Sequence, residues 1–346
     1  MAVFSNDSFS GPGGVRGRLA PSPTGFLHLG NAWSFLAAWL GVRSQGGKLV
    51  LRIEDIDPAR ARGEYVDALV EDLTWLGLDW DEGPAASGLS DADPHGHTQS
   101  LRGDIYTAAL AFLERKGAVY PCYCTRKELR DLAGAPHVDD AGAPYPGVCR
   151  RLSPRERKER EASGRRAALR LACPPETPWS FEDGVYGPRS MTLAGCGGDF
   201  ALRRSDGVFA YQLAVVVDDI AMGVTQVVRG RDILASTPRQ MYLYSLFDRE
   251  PPAYSHVPLI LDHGGERLAK RHASLTLRAL READVVPATI LGWLAASVGL
   301  RNAFAPILAH ELARGFSFNL VRPVDVRLPP EPTAFFLRLQ TGARKA

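Results

Sequence analysis

The chain has 346 residues, with 41 Lys and Arg against 39 Asp and Glu, a formal net charge of +2. That length can bury a large core, and the near-balance of charge excludes a domain whose nucleic-acid binding rests on overall basicity, confining any RNA contact to local patches. Five cysteines, an odd number without a secretory leader, argue against a disulfide framework and imply a reducing, cytoplasmic compartment.

In chain order, residues 1–14 (MAVFSNDSFSGPGG) have neither the basic start nor the apolar core of a signal peptide and read as a flexible extension. From about 15 to 118, short apolar strands alternate with amphipathic helices. In Tyr65 to Leu76, for example, Val66, Leu69, Val70, Leu73 and Leu76 recur at helical spacing. This is the pattern of βαβ units, with ligands expected at the carboxyl ends of parallel strands. At the front of the region stands RLAPSPTGFLHLGN, Arg18 to Asn31, where Pro21, Pro23 and Gly25 turn the chain from a strand into a helix beginning near His28. An imidazole, backbone N–H groups and a helix N-terminus in one place suit a polyphosphate. Gly30 lets a ring or phosphate approach backbone, and Asn31 adds a neutral donor in the first turn. LVLRIEDIDPAR, Leu49 to Arg60, reads as a strand with Glu54, Asp55 and Asp57 at its tip. An ordinary core strand explains its Val and Leu residues but not three acids together.

Residues 119–195 read as an insertion. Cys122 and Cys124 lie two residues apart, and Cys149 follows beyond a Gly/Pro-rich loop, so three thiolates can serve one tetrahedral zinc, with Tyr145 or His137 as the fourth ligand. Spacing alone leaves a metal knuckle and unrelated thiols equally open. Cys173 and Cys196 fall outside the pattern and read as packing thiols. Arginines and glutamates alternate from Arg150 to Arg170, which predicts a solvated helix with i,i+4 ion pairs. Residues 196–275 return to apolar strands and helices with Tyr211 and Arg229, and end in a basic loop, Arg267 to Arg271 (RLAKR), that alone would read as solvated surface. Residues 276–346 are predominantly helical. The uncharged stretch Val285 to Leu300 is shorter than the ~20 residues needed to span a bilayer and predicts a buried helix, so no membrane partner is expected. No G-x-S-x-G, H-E-x-x-H or Walker loop is present.

Taken together, APSPTGFLHLGNA and RLAKR resemble the two nucleotide-binding signatures of class I aminoacyl-tRNA synthetases, in the glutamate and glutamine branch. The similarity runs from about Arg16 to Leu300, through LVLRIEDIDPAR, DFALRRSDGVFAYQLAVVVDD (Asp199 to Asp219) and VVRGRDILASTPRQ (Val227 to Gln240). Asn31 departs from the first signature, where a second histidine is usual, and Arg267, Ala269 and Arg271 depart from the second. The resemblance implies a Rossmann-like α/β catalytic domain with an inserted α/β subdomain carrying a zinc knuckle, and a short helical C-terminal tail. It implies ATP, with Mg2+, at His28, Gly30, Asn31 and Lys270, of which His28 and Lys270 are catalytic. Glutamate would be framed by Arg18, Ala20, Ser22, Glu54, Tyr211 and Arg229, and a structural Zn2+ held by Cys122, Cys124, Tyr145 and Cys149.

Glu54 would take the ammonium, and Arg18 or Arg229 would supply a fork for the side-chain carboxylate, two arginines around one zwitterion favouring glutamate over glutamine. After the lysine loop too few residues remain for a full anticodon-binding domain. The tail therefore points to the truncated members of the branch, which attach glutamate to the queuosine base in the anticodon loop of tRNA(Asp). The expected partners are ATP, L-glutamate and queuosine-containing tRNA(Asp), and the expected state is a monomer. Two other readings remain open: a shortened synthetase charging tRNA(Glu), and a non-catalytic protein that binds glutamate or nucleotide.

Overall fold

The computed structural model describes residues 14–84, 96–125, 127–129, 145–268 and 276–343. Lys270, with Ala269 and Arg271, and the rival ligand His137 lie outside the described residues.

Strand β1 (Arg16–Leu19), helix α1 (Leu29–Arg43) and strand β2 (Lys48–Leu51) form a βαβ unit with parallel strands. Leu29, Trp33, Leu36 and Leu40 recur at helical spacing and are fully buried, so α1 is a core helix. Helices α2 (Gly63–Trp75) and α3 (Gly103–Arg115) follow. Val66, Leu69, Val70 and Leu73 are buried on α2 as the spacing predicts, and Leu76 is buried just past its end. Strand β3 (Val119–Cys122) leads into helix α4 (Pro154–Ala162), then β4 (Ala168–Leu171), β5 (Pro178–Asp183), β6 (Gly187–Thr192) and β7 (Phe200–Arg203). Ser153 and Glu156 close a capping box at the start of α4, Arg155 pairs with Glu159 at 3.0 Å, and none of its residues is buried, as expected of a solvated helix.

Helix α5 (Tyr211–Ala221), strand β8 (Gln226–Gly230), helix α6 (Thr237–Leu246), strand β9 (Ala253–Val257) and the short β10 (Ile260–Leu261) complete the sheet region. After them come α7 (Leu277–Glu282), α8 (Pro287–Ser297), α9 (Ala309–Ala313), β11 (Val326–Arg327) and α10 (Pro332–Ala343). The uncharged stretch does form a buried helix: Ile290, Leu291 and Leu294 of α8 are fully buried, and Phe336 of α10 packs edge-on against Trp293 with centroids 5.5 Å apart.

The larger sheet has the order β6-β5-β9-β8, with β8–β9 and β5–β9 parallel and β5–β6 antiparallel. The Thr225 N–H donates to the Arg16 carbonyl at 2.8 Å, laying β1 beside β8. The carboxyl ends of β2, β1, β8 and β9 therefore open toward one side. A second, antiparallel sheet has the order β3-β4-β7. Sheet pairing runs across the division expected at 195/196, because β7 pairs with β4 while β5 pairs with β9. The cysteine pattern and the arginine-rich helix that suggested the division are local features, whereas strand partners are set by distant segments. Among the described residues no helix is long and apolar enough to cross a membrane.

Candidate active site

A cavity of about 630 Å³ opens at the carboxyl ends of β1, β2, β8 and β9, where an α/β sheet of this kind receives its ligands. Arg18, Ala20, Ser22, Glu54, Tyr211 and Arg229 all line it, as do His28, Gly30 and Asn31. Backbone bonds draw the distant segments together. The Glu54 N–H donates to the Pro21 carbonyl at 2.9 Å and the Arg62 N–H to that of Pro23 at 3.1 Å, so the proline-punctuated turn is pinned to the acidic tip of β2.

His28 is the N-cap of α1. Its Nδ1 accepts from the Gly30 N–H at 3.1 Å and the Asn31 N–H at 3.3 Å, while Asn31 Oδ1 accepts from the His28 N–H at 3.1 Å. This corrects one expectation from the sequence: those two helix-end N–H groups point at the imidazole rather than at a ligand. With Nδ1 accepting, a neutral ring carries its proton on Nε2. The closing of the box also accounts for Asn31, whose carbonyl is the acceptor this position requires. A Cβ on Gly30 would stand 3.0 Å from the His28 ring, so glycine here protects the imidazole's seat.

The acids and arginines divide into separate pairs. Arg52, fully buried, donates to Glu54 Oε1 at 3.0 Å and to Asp219 Oδ1 at 2.6 Å. Arg18 Nε lies 3.5 Å from the same Asp219 oxygen, and its Nη1 donates to the Val228 carbonyl at 3.2 Å. Burial raises the Glu54 carboxyl above its usual range against the opposing pull of Arg52 and Arg18. The other two acids at the tip serve elsewhere: Asp55 accepts from the Ser100 N–H and hydroxyl at 2.8 and 2.6 Å, and Asp57 pairs with Arg204 at 2.7 Å. Asp218, buried behind them, accepts from Gln99, Arg102 and Tyr106. Burial pushes the Tyr211 phenol up, with Arg229 opposing.

Arg229 differs from its neighbours. Its Nε donates to His256 Nε2 at 3.0 Å, Nη1 to Gln240 Oε1 at 2.7 Å and Nη2 to Thr237 Oγ1 at 2.8 Å, and among the described residues it makes no ion pair with a carboxylate. Beyond the expected set, Arg267 and Leu268, at the start of the RLAKR loop, also line the cavity, and Arg267 pairs with Asp232.

Away from the cavity, Cys122 and Cys149 are buried and Cys124 partly so, with all three sulfurs within 4.8 Å of one another. Cys124 and Cys149 Sγ stand 3.5 Å apart, and Tyr145 Oη lies 3.4 Å from Cys122 Sγ and 3.7 Å from Cys124 Sγ. Tetrahedral zinc at its usual Zn–S length of about 2.3 Å separates its ligands by roughly 3.7 Å, so the donor set fits. The Cys149 N–H donates to Tyr145 Oη at 2.8 Å, and the Arg170 guanidinium lies 4.0 Å from the centre of the Tyr145 ring. Burial works to raise Cys149, yet hydrogen bonds from the Tyr145 hydroxyl, the Tyr123 N–H and the neighbouring thiols hold it below its ordinary value, while burial pushes Cys124 up to about 12. Cys173 and Cys196 are buried free thiols outside this cluster.

Sequence reasoning missed Arg52, Asp218, Asp219, Asp183 and His256. Four of the five left a signal: Arg52 stands in the apolar run LVLRI, His256 precedes the apolar run VPLI, and Asp218 and Asp219 end the run AVVVDD. A charge inside an apolar run has to find a buried partner.

A family model for the catalytic domain of class I tRNA synthetases (E and Q) matches residues 14–306. The chain is 61% identical to the Glutamyl-Q tRNA(Asp) synthetase of Nitratidesulfovibrio vulgaris over 84% of this chain and 89% of that one. It is 49% identical to the protein of the same name in Symbiobacterium thermophilum over 92% and 97% of the two chains. The crystal structure of glutamate-tRNA synthetase from Elizabethkingia anophelis superimposes with a TM-score of 0.77 at 26% identity, covering 93% of this chain and 70% of that one.

Proposed function

From the premise that this chain belongs to the class I tRNA synthetases of the glutamate and glutamine branch, we propose that it activates L-glutamate with ATP and transfers the glutamyl group to the queuosine base in the anticodon loop of tRNA(Asp). The observation that carries activation is the cavity itself, which sets a helix-capping imidazole, a buried carboxylate and an arginine that pairs with no carboxylate among the described residues around one space. The choice of acceptor rests on near full-length likeness to relatives named for it.

In this reading Glu54 takes the α-ammonium and Arg229 the side-chain carboxylate, with Arg18, Ala20, Ser22 and Tyr211 completing the frame. Arg229 is the better fork of the two arginines because Arg18 already faces Asp219. The α-carboxylate then attacks the α-phosphorus of ATP in line, pyrophosphate leaves, and glutamyl-adenylate stays bound. A queuosine hydroxyl attacks the activated carbonyl, releasing AMP. The chain's part is positioning and charge stabilisation: Nε2–H of His28 and the Lys270 ammonium on the phosphates, with Gly30 and Asn31 keeping the ring in place. Mg2+ enters with ATP as part of the substrate. Cys122, Cys124, Cys149 and Tyr145 would hold a zinc ion that cross-links β3 to the segment around Cys149, a structural role.

Glutamate-dependent ATP–pyrophosphate exchange without tRNA, followed by charging of queuosine-containing tRNA(Asp) and of tRNA(Glu), tests the proposal. Exchange with glutamate and labelling of the queuosine-containing tRNA(Asp) are expected. Labelling of tRNA(Glu) alone would make the chain a shortened synthetase for that tRNA, and no exchange or charging at all would make it a binding protein.

A further inference from the structure

Arg229 is 5% exposed and, among the described residues, held by neutral acceptors alone: an imidazole nitrogen, an amide oxygen and a hydroxyl. Arg52, equally deep, is held by Glu54 and Asp219, and Arg18 faces Asp219. The acid nearest to Arg229 in this chain of contacts is Asp183, one imidazole removed. His256 Nδ1 lies 2.5 Å from Asp183 Oδ2, and both side chains are fully buried.

The geometry fixes the proton. Asp183 Oδ1 also accepts the Val185 and Tyr186 N–H groups at 3.0 and 2.9 Å, and both of its oxygens accept from the His256 N–H, so this carboxylate is anchored and ionised. It requires the imidazole proton on Nδ1, which leaves Nε2 bare to accept from Arg229 Nε. A doubly protonated ring would turn an N–H against that N–H, and burial, which lowers His256 to about 4, keeps the ring neutral. The Gln240 oxygen is oriented in the same way, since its Nε2 donates to Gln212 Oε1 at 3.0 Å and Gln212 Nε2 to Ser236 Oγ at 2.9 Å. Three of the five guanidinium N–H donors are thereby occupied, and the remaining two belong to a cation that no carboxylate of the described residues touches.

We propose that Asp183 and His256 are positioning residues for amino-acid selection: through a neutral ring they hold Arg229 in one orientation while leaving its charge for a ligand carboxylate to meet. A carboxylate set directly on Arg229 would orient it equally well but would neutralise it, and a side-chain amide would then compete on better terms with a side-chain acid. The imidazole transmits orientation without delivering the charge. This inference rests on the assignment of Arg229 to the glutamate side chain.

The test is ATP–pyrophosphate exchange by the full chain with glutamate, glutamine and ATP varied in turn, in His256→Leu, His256→Gln and Asp183→Asn. His256→Leu removes the acceptor and is expected to raise the glutamate KM at least ~10-fold, the weight of one hydrogen bond to a charged group, and to narrow the preference over glutamine, while the ATP KM stays within about twofold. His256→Gln still offers a neutral oxygen to Arg229 and should recover most of the loss, with Asp183→Asn in between. A merely structural role would move both KM values and the melting temperature together, with His256→Gln no better than His256→Leu, and that result overturns the proposal. Should His256→Leu not fold, the near-isosteric Asp183→Asn decides, an unchanged glutamate KM overturning it. Wild-type protein without glutamate-dependent exchange would defeat the underlying assignment instead, so the two failures are distinguishable.

Discussion

The cavity and the cysteine cluster are built on opposite plans. The cluster draws on Cys122 to Cys149, and its atoms meet through contacts inside that segment: a 3.5 Å approach of two sulfurs and a phenol oxygen near two of them. The cavity draws on residues from Arg18 to Leu268, and its polarity is set by partners as far apart along the chain as Asp219 and His256. A local motif therefore carries its own donor atoms. A site assembled across a sheet shows its residue types in sequence, whereas the charges its ligand meets depend on which arginine found which acid.

If the two regions are independent, damage to one spares the other. Cys122→Ser should lower zinc affinity by more than ~100-fold, beyond what loss of a merely supporting contact usually costs, while pyrophosphate exchange falls far less. Zinc content by elemental analysis, read beside exchange rates, checks both halves. Equal metal in variant and wild type would reduce the cluster to three ordinary thiols. The converse damage is Glu54→Ala, which removes the partner proposed for the ammonium and one of the two carboxylates hydrogen-bonded to Arg52. Losing a charged hydrogen bond of roughly 2 kcal/mol should lower kcat/KM for glutamate about 30-fold with zinc content unchanged. If glutamate kinetics are unaltered, Glu54 does not hold the ammonium.

Within the cavity the comparison sharpens into phosphate against amino acid. Lys270→Ala should slow exchange at least ~10-fold, about 1.4 kcal/mol of transition-state stabilisation, and leave glutamate binding nearly intact. Exchange at the wild-type rate would remove Lys270 from the phosphate chemistry.

The same contrast explains how much could be read in advance. The strand-to-helix turn before His28, the α2 stripe from Val66 to Leu73 and the buried helix α8 were legible because periodicity and punctuation are local properties. The position of the cavity was legible from the parallel βαβ pattern. The pairing of β5 with β9 and of β7 with β4 was not, since nothing in a strand's own residues names its partner. Nor was the reorientation of the Gly30 and Asn31 N–H groups onto His28, which depends on a rotamer. Glu54, Asp55 and Asp57 looked like one acidic cluster and proved to serve three different partners, because nearness along the chain does not fix which donor folds against each carboxylate.

The smallest effect asks whether Tyr145 belongs to the cluster as a ligand or as packing. Its ring is covered by Arg170, and its oxygen accepts the Cys149 N–H at 2.8 Å, a bond that survives whether the oxygen is a phenol or a phenolate. Burial, with hydrogen bonds to the thiols, pushes the free phenol far above its ordinary value, so only a metal ion bound at the oxygen would draw the proton off. Such a ligand binds more weakly than a thiolate. Tyr145→Phe keeps the ring under Arg170 and removes only the oxygen, leaving room for water as the fourth ligand. Zinc affinity should fall roughly tenfold, the low end of the ~10–100-fold range for weak or supporting contacts and well short of the Cys122→Ser loss. Competition with a chromogenic chelator measures the two variants side by side. An affinity equal to wild type would make Tyr145 a packing residue, and a loss as large as that of Cys122→Ser would make it a full ligand.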